Sequence, residues 1–186
     1  MRFVETTIPG LVELVAQPLP DNRGRFVKTF VRGEFSAAGL PGDFVEEFYS
    51  YSIAGVLRGL HFQLPPQAQA KTVFCEHGAI FDVVLDLRVG SPAYGTALTF
   101  ELTGKNGRGL FIPEGLAHGF RVLGDGALVA YRTTTAYSPK YDAGVRWDSA
   151  GIAWPSGPSV ISERDATLPA FSEFANPFVF DGGDGR

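Results

Sequence analysis

The sequence predicts an all-β fold, an antiparallel sandwich or barrel of the jelly-roll kind with a few short helices. Three observations predict it. Glycine (23) and proline (13) are frequent and scattered along the 186 residues, as turns between many short strands require. Apolar residues alternate with polar ones in short runs bounded by turn signals. Only Glu34 to Ala38, closed by Gly39, reads as a helical turn in the first half of the chain. No repeat, linker or composition break appears, so residues 1–186 fit a single domain with a sizeable core.

In order, residues 1–20 read as one or two short strands, with Leu11-Val12-Glu13-Leu14-Val15 the clearest. Asp21-Asn22-Arg23-Gly24 is a turn, and Arg25 to Val31 follows as a strand with Phe26, Lys28 and Phe30 on one face. A lysine between two phenylalanines is odd in a core face and sensible in a cavity wall. Phe44 to Ile53 is extended, with Glu46, Phe48, Ser50 and Ser52 on one face and Val45, Glu47, Tyr49 and Tyr51 on the other. Neither face is cleanly apolar, which assigns one to a ligand pocket and the other to a subunit contact. Ala70 to Glu76 and Ala79 to Arg88 read as two strands around a His77-Gly78 turn. Leu98 to Leu102, Leu110 to Ile112 and Leu128 to Thr134 complete the strands, the last with Tyr131 on the face of Val129 and Thr133. Phe171, Phe174, Phe178 and Phe180 are placed to dock on the body, and residues 181–186 read as a flexible tail.

Composition excludes several classes. A net charge of −4 and a pI near 5.4, with no basic run, argue against nucleic-acid binding. Cys75 is the single cysteine, so neither an internal disulfide nor a cysteine metal cluster is available. No segment approaches the ~18 consecutive apolar residues of a membrane span, and the N-terminus has no apolar run of signal-peptide length. The expectation is a soluble, cytoplasmic protein without a membrane or nucleic-acid partner.

The chemistry concentrates in residues 55–71. Arg58, His61 and Lys71 stand there among small and apolar residues, and the chain has only three histidines. Arginine clamps phosphate, histidine moves protons near neutral pH, and lysine stabilises an oxyanion. The competing reading is a surface strand and a Pro-rich turn with solvated charges. Strict alternation also puts Arg58 and His61 on opposite faces, so a shared cavity requires a bulge or a bend, for which Gly59 is a suitable place.

Pro113-x-Gly115-x-x-His118 resembles the second cupin motif, and Gly59-x-His61-x-Gln63 the first. Gln63 stands where a metal-binding cupin has its second histidine, and no carboxylate follows at ligand spacing, so neither metal nor cofactor is expected. A longer series of motifs resembles the dTDP-4-dehydrorhamnose 3,5-epimerase family. It runs through Arg23-Gly24 with Phe26, Gly55 to Gln63, Pro65-Pro66, Ala68 to Lys71 and Asp86-Leu87-Arg88-x-Gly90-Ser91-Pro92. It continues in Ile112 to Phe120, Tyr131-x-Thr133, Tyr137-x-Pro139, Trp147-Asp148 and Ile161-Ser162-x-x-Asp165. The resemblance implies a metal-free cupin-type jelly roll, a homodimer, acting on a nucleotide-linked 4-keto-6-deoxy sugar in deoxysugar biosynthesis.

That chemistry fits the residues. A C4 ketone acidifies the hydrogens at C3 and C5, so epimerisation needs a base, a group to hold the enolate oxygen, and an acid on the opposite face. His61 suits the base, with a reference pKa of about 6.5. Lys71 suits the oxygen and Tyr131 the acid. The resemblance pairs His61 with Asp165, puts Arg23, Arg58 and His118 at the diphosphate, and stacks Tyr137 on the nucleotide base. Asp82, Asp86 and Asp148 read as structural.

The chain departs from the family pattern at Lys28 (glutamate), Glu46 (glutamine), Phe48 (asparagine) and Arg164 (lysine). The first three fall on faces assigned to the cavity, at positions that in the family meet the nucleotide end. They imply a nucleotide other than dTDP, such as CDP or GDP, or a modified dTDP sugar. A C3-only or C5-only epimerase, a non-catalytic sugar-nucleotide-binding cupin and a metal-dependent cupin are the competing readings.

Overall fold

The computed structural model describes residues 1–157 and 159–182. One antiparallel sheet dominates. β1 (Arg2–Glu5), β2 (Val12–Val15), β9 (Arg108–Ile112), β7 (Lys71–Asp86), β10 (Leu116–Thr133), β6 (Leu57–Gln63) and β11 (Asp142–Gly144) are neighbours in that order. β5 (Glu46–Ile53) adds to β10 and β8 (Ala97–Thr103) to β7.

β7 and β10 are the spine, paired from Leu116↔Asp86 to Thr133↔Lys71. Each changes its second neighbour half-way. β7 pairs with β9 over Lys71–Phe74 and with β8 over Ala79–Leu85. β10 pairs with β6 near its start and with β5 from Gly126 onward. Strands that switch partners in this way turn the corner of a rolled sheet, and the result is the jelly roll that the alternating pattern predicts.

The His77-Gly78 turn is therefore corrected to a corner within one long strand. Gly78 has φ +77°, and a Cβ there would sit 2.0 Å from the Gly126 carbonyl oxygen of the adjoining strand. The pairing also shifts register here, between Leu123 and Leu128. Close approach of two backbones, and not chain reversal, explains the glycine.

The strand expected at 25–31 is also corrected. Only Gly24–Phe26 (β4) is extended, in an isolated hairpin with Leu19–Asp21 (β3), and all six residues are exposed. Among the described residues no further strand continues the ladder. Past Phe26 the chain turns its apolar side chains onto aromatic partners instead. Phe30 meets Phe35 and Phe44 edge-on at 4.9 and 5.2 Å. Phe35 is the buried residue of α1 (Arg32–Ala37), which ends as expected at Gly39, φ +74°.

The core between the layers includes Val73, Ile80, Val84, Leu110, Ile112, Leu116, Phe120, Val129 and Tyr131. On the outer side, Phe62 packs edge-on against Phe174 and Phe178 of the C-terminal segment, at 5.1 and 5.6 Å. Of the expected flexible tail, residues 183–186 lie outside the described residues. No helix among the described residues is long and apolar enough to cross a membrane.

Candidate active site

A cavity of about 300 Å³ opens at one end of the core, which supplies Phe120 and Tyr131 to its wall. β6 contributes Arg58 and His61, β7 Lys71, β10 His118, and β5 Phe48 and Ser50. Tyr137, Asp142 and Arg164 close the rim.

A bulge brings Arg58 and His61 into one cavity. His118 pairs with His61 and Phe120 with Arg58, so β6 spends three steps where β10 spends two. Gly59 makes this possible. Its φ is +127°, and a Cβ on it would meet the Gly119 Cα at 2.6 Å. Arg58 is held by its Nε, which donates to the Ser52 hydroxyl at 3.0 Å.

His61 is half-buried, and its Nε2 lies 2.7 Å from Oδ1 of buried Asp165. The other carboxylate oxygen accepts from the Gly59 amide at 3.1 Å. Asp165 sits on α2 (Glu163–Ala166), a single turn whose start is capped by the Ser162 hydroxyl accepting from the Asp165 amide. Burial alone would raise the Asp165 pKa. The His61 hydrogen bond and charge, the Gly59 amide and Arg164 outweigh it and hold the carboxyl below its ordinary value. The Arg164 guanidinium also lies 2.9 Å from His61 Nε2. An ionised Asp165 has no proton to give, so Nε2 carries the hydrogen. Arg164 is then held by carboxylates, those of Asp142 at 2.8 Å and Asp165 at 3.4 Å. Nδ1 is the nitrogen left to accept a proton.

Lys71 opens β7 and is buried, which pushes its pKa down to about 8, with Asp142 and Asp82 pulling the other way. Asp82 lies beneath it, wholly buried, and its Oδ2 is 2.8 Å from His118 Nε2. Burial raises the Asp82 pKa against the opposing pull of His118 and Lys71. Asp82, read as structural in the sequence, anchors a second imidazole–carboxylate pair facing the first. An acid inside the apolar run Phe81 to Leu85 was the available signal.

Tyr131 is buried, and desolvation pushes its phenol well above the ordinary value, with the Ser50 hydroxyl opposing. It therefore keeps its proton throughout the neutral range. Phe48 stacks on its ring at 4.8 Å and 16°. At the rim, the Tyr137 hydroxyl donates to Asp142 at 3.3 Å and its amide donates to the Glu46 carboxylate at 2.8 Å. Gln63 holds the same loop. Its amide nitrogen donates to the Gln67 and Ala136 carbonyls, and its oxygen accepts from the Ser138 amide at 2.6 Å. Among the described residues, no three His, Cys, Asp or Glu side chains gather as a metal site requires.

Three of the expected residues are elsewhere. Arg23, Phe26 and Lys28 are exposed on or just beyond the β3–β4 hairpin, with Arg23 paired to Asp21 at 2.5 Å, and none lines the cavity of its own chain. The expectation that strand alternation turns Lys28 into the cavity fails because the strand ends at Phe26. Glu46 does not line the cavity either, and its carboxylate is engaged with the Tyr137 amide.

Residues 5–173 match the family model of dTDP-4-dehydrorhamnose 3,5-epimerase. The chain belongs to the dTDP-4-dehydrorhamnose 3,5-epimerase family. It is 43% identical over 169 residues to the dTDP-4-dehydrorhamnose 3,5-epimerase of Methanothermobacter thermautotrophicus, covering 88% of this chain and 91% of that one. The crystal structure of the Legionella pneumophila dTDP-6-deoxy-D-glucose-3,5-epimerase in complex with dTDP-4-keto-L-rhamnose superposes with a TM-score of 0.88. Identity there is 35%, over 92% of this chain and 93% of that one. A 3'-monoepimerase from Streptomyces bikiniensis in complex with dTDP-quinovose gives a TM-score of 0.87 at 29% identity, over 91% and 88%. Family membership makes the chain a sugar-nucleotide epimerase of the isomerase class with a jelly-roll fold.

Proposed function

We propose that the chain inverts C3, C5 or both in a dTDP-linked 4-keto-6-deoxy sugar. The observation that carries this is one cavity lined by His61, the Lys71 ammonium and the protonated Tyr131 phenol, with Asp165 bonded to His61 behind the wall. His61 takes the hydrogen beside the ketone as a proton, and the bond's electron pair passes into the enolate. Lys71 stabilises the oxygen that becomes negative. Tyr131 returns a proton to the opposite face of the same carbon, and water reprotonates the phenolate. The carboxylate of Asp165 fixes the His61 tautomer and stabilises the imidazolium. Arg58 and His118 bind the diphosphate, while Tyr137, held by Asp142 and Glu46, covers the base, with Arg164 bracing the rim.

Arg23, Phe26 and Lys28 act from a second copy in a homodimer. The exposed hairpin, with Leu19 and Phe26 54% and 58% exposed, supports this, as does the bare face of Tyr49, Tyr51 and Ile53 on β5, with Val45 just before it. The single buried thiol, Cys75, pushed up to about 11 by burial, suits a cytoplasmic enzyme. A nucleotide other than dTDP rests on Lys28 and on Phe48, which lines the cavity, since the Glu46 carboxylate is engaged with the Tyr137 amide. Calorimetry with dTDP, CDP, GDP and UDP separates these readings. The reaction is tested in deuterium oxide with dTDP-4-keto-6-deoxyglucose, where NMR should find deuterium at C3 or C5 of the inverted sugar. The likeness to a monoepimerase favours asking whether one carbon alone exchanges. Absence of deuterium at both carbons refutes the epimerase and leaves a non-catalytic binder.

A further inference from the structure

Phe48 is unusual among the aromatic residues of this chain. It is 45% exposed, lines the cavity and is absent from all three buried clusters. Its one aromatic neighbour among the described residues is Tyr131, directly opposite it in the β5–β10 register, with the rings nearly parallel at 4.8 Å and 16°. His118 meets the same tyrosine ring edge-on at 6.1 Å and 70°.

A tyrosine hydroxyl lies on its own ring axis, so flipping the ring leaves it in place. Only a swing about the Cα–Cβ bond moves it. A parallel ring against one face blocks the swing on that side, and His118 crowds the edge. The hydroxyl is therefore confined to a small arc, and a general acid works only within hydrogen-bond reach of the carbon it protonates.

We propose that Phe48 is a positioning residue that sets how often the enolate is protonated with inversion by Tyr131 and how often with return by His61. The inference rests on the epimerase reading above. Both outcomes begin with the same broken C–H bond. In inversion the Tyr131 O–H breaks and a C–H bond forms on the far face. In return the imidazolium, after exchange with solvent, gives a proton to the near face. Loosening Tyr131 lowers the first and leaves the second available.

The experiment incubates the enzyme with dTDP-4-keto-6-deoxyglucose in deuterium oxide. NMR at early times gives the ratio of inverted to uninverted deuterated sugar. Unfolded protein contributes to neither signal, so the ratio is immune to a loss of folded fraction, and Phe48→Leu accompanies Phe48→Ala as a milder change. A stacked aromatic pair corresponds to a population change of about two- to tenfold. The expected result is a fall of that size in Phe48→Ala and Phe48→Leu, with the wild-type ratio restored in Phe48→Tyr. Tyr131→Phe supplies the floor, with return only. A wild-type ratio in Phe48→Ala, or no restoration in Phe48→Tyr, overturns the positioning role while the epimerase stands. A wild-type enzyme that incorporates no deuterium overturns the epimerase reading itself, and the positioning role with it.

Discussion

Replacing Lys71 with methionine should make the protein more stable and abolish its turnover. The side chain is buried and its pKa falls from 10.5 to about 8, first because of desolvation. At about 1.36 kcal/mol per pH unit, holding the ammonium inside the fold at pH 7 costs about 3 kcal/mol. Methionine has a similar length and no charge. The shift already includes the attraction of Asp142 and Asp82, so the net gain should be about 3 kcal/mol. The sign follows from linkage. Between about pH 8 and 10.5 the unfolded lysine binds more proton than the folded one, so wild-type stability rises with pH across that window. The variant has no such group, and its advantage should shrink toward zero there. Urea denaturation of both proteins at pH 7, 8, 9 and 10 gives the difference directly. An advantage that does not change with pH, or a variant less stable by more than about 1 kcal/mol, refutes the argument.

Asp165→Asn should lower turnover by about a hundred- to ten-thousandfold, because an amide beside Nε2 favours the tautomer that puts the hydrogen on Nδ1 and removes the base; steady-state kinetics on protein shown to be folded by circular dichroism checks it, and some stability should be lost with the charge. Gly59→Ala should destabilise by about 2–4 kcal/mol, since its φ of +127° and a Cβ 2.6 Å from the Gly119 Cα leave no room. Gly33→Ala on α1, where a Cβ meets nothing within 4 Å, is the control and should be neutral or stabilising by about 0.5–1 kcal/mol. Equal urea midpoints for the two glycine variants would contradict the bulge argument.

Much of this architecture was legible because period-two alternation and scattered turn residues are local signals. The strands that form the spine were read as fragments for a physical reason. A glycine with positive φ looks the same in a sequence whether the chain reverses or two strands pass too closely for a side chain, as at Gly78. The strand at 25–31 shows the complementary failure. Its alternation is real, but without a neighbouring strand the ladder stops at Phe26, and Phe30 finds aromatic company instead. The cavity followed the same division. His61, Lys71, Tyr131, Asp165 and Arg58 are legible through motif resemblance and their chemistry, and the cavity that Arg58 shares with His61 through the break in alternation at Gly59. Asp82 reads as structural in the sequence because its partner His118 lies 36 residues away, visible only when β7 and β10 pair.

The two histidine–carboxylate pairs show why burial matters as much as residue identity. His61 and His118 are cross-strand partners, and each binds a carboxylate through Nε2, at 2.7 and 2.8 Å. Their side chains are 29% and 5% exposed. In the proposed reaction a base must pass the proton it removes to solvent before the next turnover, and of the two only His61 is exposed enough to do so. His118 is enclosed above fully buried Asp82, which suits holding a charge or a hydrogen bond in one place and not cycling protons. On the proposed mechanism the same dyad chemistry divides into proton transfer and fixed electrostatics. The bulge at Gly59 permits the division by turning His61 toward the cavity mouth on the strand that carries Arg58.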